Sequence, residues 1–163
     1  MTNERLEAVL AARTQDRDLI TAVGLVGMTT GHVDIEIATI LANLIESPWG
    51  PQLAFGQNTS TNVTYIRELL KAVKPTPLTE DILAALKAAE AVLDERNALV
   101  HSLWGGDGVS TLRFRRWNRR ELPRPVRTVE GTLDVYESML RVIDQLTRAW
   151  SRLDKEKGAF EPA

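Results

Sequence analysis

The chain has 163 residues, 44% of them hydrophobic and 26% charged, with a formal net charge of −2. That is the size and composition of one globular domain able to bury a core, and it excludes disordered and fibrous classes. There is no cysteine, so disulfide staples and thiolate metal sites are excluded, and His32 and His101 are too few for a histidine-based metal site without carboxylates.

The N-terminal ten residues carry Glu4, Arg5 and Glu7 and lack the apolar stretch of a signal peptide. Apolar runs elsewhere are broken by charge before bilayer length, so the expectation is a cytoplasmic protein with no membrane span. Asn3 to Leu10 is short and amphipathic. Thr14, with Gln15, Asp16 and Asp18 behind it, suits a helix start, where the dipole favours acids. Leu19, Ile20, Val23, Val26, Ile37, Ile40, Leu41, Leu44 and Ile45 recur at helical spacing. Gly24, Gly27 and Gly31 predict a kink or a close helix contact in the middle. Ser47-Pro48-Trp49-Gly50-Pro51 stops that helix, and residues 52–61 read as a polar loop whose Asn58, Thr59, Ser60 or Thr61 caps the next.

A helix is expected over about Asn62 to Val73, closing at Lys74-Pro75-Thr76-Pro77. Thr79, with Glu80 and Asp81 behind it, is expected to cap the longest helix, which is rich in alanine and continues to about Trp104. Gly105-Gly106-Asp107-Gly108 ends it. The pattern then changes to period two in Thr111-Leu112-Arg113-Phe114-Arg115, which is expected to pair with Pro125-Val126-Arg127-Thr128-Val129. The turn would run through Asn118, Arg119, Arg120 and Pro123, giving a hairpin within 109–129. A last helix is expected over about Glu130 to Leu153, with Leu133, Tyr136, Leu140, Ile143, Leu146 and Trp150 along one side, before a polar tail over about 155–163. There are no repeats and no linker. Residues 1–163 therefore read as a single domain, mainly α: a four- to five-helix up-and-down bundle with one short inserted β-hairpin.

The segment Asp94-Glu95-Arg96-Asn97-Ala98-Leu99-Val100-His101-Ser102 carries the chemistry. The apolar stripe of its helix runs Ile82, Leu86, Ala89, Leu93, then Val100 and Leu103, and its spacing between Leu93 and Val100 lands on Arg96 and Asn97. A guanidinium and an amide thus stand where methyl groups are expected. An unpaired charge there costs roughly several kcal/mol, so Arg96 needs an acid, a partner surface or an anionic ligand. If the need is structural, the acid is Glu36 or Asp34, with Asn97 and His101 satisfying backbone groups.

The segment Arg96-Asn97-x-x-x-His101 resembles the Arg-x4–6-His motif of HEPN (higher eukaryotes and prokaryotes nucleotide-binding) domains, in which a polar residue commonly follows the Arg late in a long helix. The resemblance implies an all-α bundle and a metal-independent endoribonuclease that dimerises so that two motifs share a cleft. It implies Arg96 and His101 as the catalytic pair with Asn97 beside them, no cofactor, and a toxin or defence effector with an antitoxin or regulatory partner. Toxins of this type controlled by a nucleotidyltransferase typically carry Tyr two residues after the His. Leu103 stands there, which argues against that control.

The residue types suit this chemistry on their own account. Histidine, with an ordinary pKa of about 6.5, carries protons near neutral pH, and arginine presents a fixed fork of donors to phosphate oxygens. Arg96 and His101 are five apart, about 140° around a helix, so one helix aims both at one phosphate with difficulty. A symmetric homodimer through this helix removes the difficulty.

Downstream, Arg113, Arg115, Arg116, Arg119, Arg120, Arg124 and Arg127 stand against only Glu121, interleaved with Phe114 and Trp117. Such a ribbon suits an RNA backbone with a base stacked on Trp117, and equally suits an edge protected from aggregation by charge. Trp104, close to His101, is a packing anchor or a wall of the cleft. His32 and Glu36 are four apart on one face, a spacing seen in metal sites. Two ligands make no site, so the expectation is no metal, with Glu36 a helix-surface group or the partner of Arg96. Asn62-Val63-Thr64 matches a glycosylation sequon, which has no meaning in a cytosolic protein.

Overall fold

Helical periodicity governs the backbone as it does the sequence. In a computed structural model, residues 17–100, 103–106, 112–115 and 129–156 are described. Among these are five helices: α1 (Arg17–Leu44), α2 (Gly50–Phe55), α3 (Thr59–Lys71), α4 (Pro77–Val100) and α5 (Val129–Lys155). The chain is thus mainly a bundle of helices. The expected segment Asn3 to Leu10 and the tail beyond 156 lie outside the described residues.

The core forms where three long apolar stripes meet. Val26, Val33, Ile37, Ile40 and Leu41 of α1 are fully buried, in one cluster with Val135, Met139, Val142, Leu146 and Leu153 of α5 and Leu78, Ile82, Leu86 and Leu99 of α4. Each such side chain contributes about 1.5–3 kcal/mol by leaving water. The largest helix–helix contact is between α1 and α5, and the next is between α4 and α5. Thr29 and Thr30 are buried within α1, and their hydroxyls donate to the carbonyls of Leu25 and Val26 one turn back, which removes the cost of burying them.

Several boundaries differ from the sequence expectation. Asn58 caps α3, extended at φ −78° and ψ 158°, so α3 starts three residues earlier than Asn62. Residues 50–55, expected to be the end of the helix stop and the start of the 52–61 loop, form α2 with Pro51 in its first turn, where a missing N–H costs nothing. Thr76 is the cap of α4 in place of Thr79: its hydroxyl accepts from the Thr79 N–H at 3.2 Å, and the Thr79 hydroxyl accepts from the Thr76 N–H at 2.8 Å.

Along α5 the buried apolar positions are Val135, Met139, Val142, Leu146, Ala149 and Leu153, while the expected Leu133 and Leu140 are exposed. Gly24, Gly27 and Gly31 produce no break in α1, and among the described residues nothing lies within 4 Å of where a Cβ would stand at any of them, so none of these residues makes the close contact expected there. By length and composition α1 could cross a membrane, contrary to the expectation that charge interrupts every apolar run; here its apolar side is in the core.

The long helix α4 ends at Val100, before Trp104. The inserted hairpin expected from residues 111–115 and 125–129 is not seen. Strand β1 (Leu103–Gly106) pairs antiparallel with β2 (Leu112–Arg115), Leu103 opposite Arg115 and Gly106 opposite Leu112, and Val129 opens α5. Only five residues of sequence, Asp107 to Thr111, separate the paired strands, whereas the expected partner segment contains Pro125, which lacks an N–H for a ladder. Residues 116–128 lie outside the described residues.

Candidate functional site

One side of α4 carries Glu90, Asp94 and Asn97 at helical spacing outside the buried stripe, with Leu93 beside them half-buried against the core. These residues and Arg96 form one wall of an open cleft of about 580 Å3. Thr30 and Asp34 of α1 form the second wall, and Asn58, Thr59, Ser60 and Val63 at the start of α3 form the third. The volume lies within the usual range for small-ligand sites.

Two polar clasps hold α3 in place around the cleft. At its N-terminus the Asn58 side chain accepts from the Thr61 N–H at 2.9 Å and from the Ser60 hydroxyl at 2.7 Å, and the Thr59 hydroxyl donates to Asp34 of α1 at 2.5 Å. Two turns on, Arg67 donates to both oxygens of Glu90 on α4, at 2.9 and 2.5 Å. Both partners of this ion pair remain about two-fifths exposed, so it contributes at most about 1 kcal/mol, but its fork geometry fixes the spacing of α3 and α4.

Arg96 does not form the core ion pair that the interrupted stripe allowed. Its Nη1 donates to the side-chain oxygen of Asn97 at 2.8 Å, and its Nε is buried with no hydrogen-bond partner among the described residues. Asp34 is engaged by Thr59, and Glu36 is half-buried with Oε2 buried and unpartnered. The interruption has a simple origin: the buried stripe of α4 runs through Val92, Ala98 and Leu99, so Arg96 lies at its half-buried edge and Val100 is 40% exposed. A guanidinium there can keep its head at the cleft while its stem packs.

Of the other sequence candidates, His101 lies outside the described residues, as do Arg116, Trp117, Arg119 and Arg120. Arg113 and Arg115 have their backbone in β2, and Trp104 has its backbone in β1 opposite Phe114. His32 is exposed on α1. Among the described residues no group of three or more His, Asp or Glu could hold a metal ion. Asn62, of the sequon, is 2% exposed and donates to the Ala54 carbonyl at 2.9 Å.

Sequence reasoning missed the acidic lining. Asp34, Glu90 and Asp94 contribute three carboxylates to the cleft against the single guanidinium of Arg96. The signal was legible, because Glu90, Asp94 and Asn97 fall four and three apart and therefore on one helical face. The cleft thus offers one group suited to an anion, a neighbouring amide, and several acceptors suited to ligand N–H groups. No known family model, curated protein or solved structure matches the chain.

Proposed function

We propose that the chain is an endoribonuclease of HEPN type, working without a metal as a homodimer through the Arg96/His101 segment. The observation that supports it best is the position of Arg96. It sits with Asn97 at the wall of an open cleft and is not closed off by Asp34 or Glu36.

In this reading His101 takes the proton of an RNA 2′-hydroxyl, whose oxygen attacks the adjacent phosphorus. The bond from phosphorus to the 5′-oxygen breaks, that oxygen leaves with the proton handed on by His101, and the product ends in a 2′,3′-cyclic phosphate. Arg96 stabilises the charge that grows on the phosphorane, and Asn97, already bonded to it, holds the guanidinium in place. The partner copy supplies a second motif to the shared cleft. The arginines at 113, 115, 116, 119 and 120 hold the RNA backbone, with a base stacked on Trp117 and Trp104 walling the cleft. The role is that of a toxin or defence effector in the cytoplasm, held in check by an antitoxin or regulatory protein.

A second reading, a non-catalytic module that binds a nucleotide, RNA or a protein in the same groove, is favoured by the three carboxylates, which weaken the hold on a polyanion. Incubation of mixed single-stranded RNA with the protein in EDTA separates the two. The ribonuclease reading expects cleavage by the wild type and none by His101→Ala or Arg96→Ala, both folded. Intact RNA with all three proteins favours the binding module.

A further inference from the structure

The carboxylates of the cleft are not equivalent. Glu90 has both oxygens taken by Arg67, and Asp34 holds the Thr59 hydroxyl. Asp94 is exposed and makes no hydrogen bond or ion pair among the described residues, although it lines the same wall as Asn97 and Arg96. It stands three residues before Asn97, so the two side chains are neighbours on the surface of α4. An unengaged carboxylate beside a phosphate-directed arginine opposes anion binding, unless what it meets is a donor.

RNA brings such donors beside its phosphates, on the edges of its bases. A carboxylate offers two parallel acceptors, and the four bases answer it differently. Guanine presents two adjacent donors, N1–H and an N2–H, matching the fork. Adenine and cytosine present one amino N–H beside a ring-nitrogen lone pair, giving one bond and one repulsion. Uracil presents N3–H between two carbonyl oxygens, which face the carboxylate unfavourably.

We infer that Asp94 is the specificity-determining residue of the Arg96/Asn97 cleft, accepting the N1–H and N2–H of a guanine base. The inference rests on the ribonuclease reading for its RNA substrate. The cleft volume of about 580 Å3 accommodates one nucleotide; Arg67 occupies both oxygens of Glu90 and Thr59 one oxygen of Asp34, which leaves Asp94 as the carboxylate with both oxygens open to a base edge among the described residues.

The test is calorimetric titration of the full chain with guanosine 5′-monophosphate and uridine 5′-monophosphate, for wild type and Asp94→Asn. Wild type should bind the guanine nucleotide about tenfold or more tightly than the uracil one, the discrimination usual for a bidentate base contact. Asp94→Asn should lose that preference while keeping its melting temperature, because the side chain is exposed. Equal binding of the two nucleotides, binding of neither, or an undiminished preference in Asp94→Asn overturns the inference. RNA cleavage by the same samples separates the two claims. Cleavage without guanine preference removes the role of Asp94 and leaves the ribonuclease. Guanine-selective binding without cleavage removes the ribonuclease and leaves Asp94.

Discussion

The Arg96 guanidinium donates to the side chain of its own neighbour, Asn97, at 2.8 Å, although Asp34 and Glu36 lie on the helix packed nearby. Its Nε is buried and has no hydrogen-bond partner among the described residues. An orphaned donor of this kind costs roughly 1–3 kcal/mol, and no described residue offsets that cost.

Replacing the guanidinium should therefore leave the fold standing. Arg96→Met, which keeps the stem, loses the Asn97 bond but also the orphaned Nε donor, so stability is expected to hold or to rise by up to about 2 kcal/mol. Urea unfolding followed by circular dichroism measures it. A loss of several kcal/mol would mean that Arg96 forms a buried ion pair after all.

The glycines of α1 give a second prediction. Gly24, Gly27 and Gly31 are exposed, helical, and have open space where a Cβ would stand. Each replacement by Ala should raise stability by about 0.5–1 kcal/mol, through reduced freedom of the unfolded chain. Thermal melts of the three single variants check this, and a destabilised variant would show that a second surface packs closely there.

How far the sequence carried can be judged from particular residues. The long helices were legible because Val26, Ile37 and Leu41, or Ile82, Leu86 and Ala89, repeat at helical spacing. The caps at Asn58 and Thr76 were blurred, since runs such as Asn58-Thr59-Ser60-Thr61 offer several equivalent oxygens and only packing selects one. Leu133 and Leu140 misled because periodicity gives a stripe but not which edge of it is buried. The strand partner of 112–115 was lost because Gly105-Gly106 reads equally as a helix stop. At the site, Arg96 and Asn97 stood out against an apolar pattern, whereas Asp34 and the start of α3 reach the cleft only through tertiary packing, which no local spacing encodes.

The Arg67–Glu90 clasp should be worth little to stability and more to the site. A double-mutant cycle with Arg67→Ala and Glu90→Ala is expected to give a coupling of about 0.5–1 kcal/mol, falling at high salt. Urea melts at low and high salt measure it.

The helix pair α1/α5 carries the fold. Met139→Ala, at a position with no exposure, should cost about 2–5 kcal/mol, and Leu41→Ala a similar amount. Denaturant midpoints check both, and a cost near zero at either would contradict this account of the core.

The central claim, that Arg96 and Asn97 line a ribonuclease cleft, is tested most directly by the ends of the RNA. Single-stranded RNA incubated with the protein in EDTA should yield fragments ending in 2′,3′-cyclic phosphate, and Arg96→Met, folded, should yield none. Intact RNA with wild type, or equal cleavage by the variant, would contradict it.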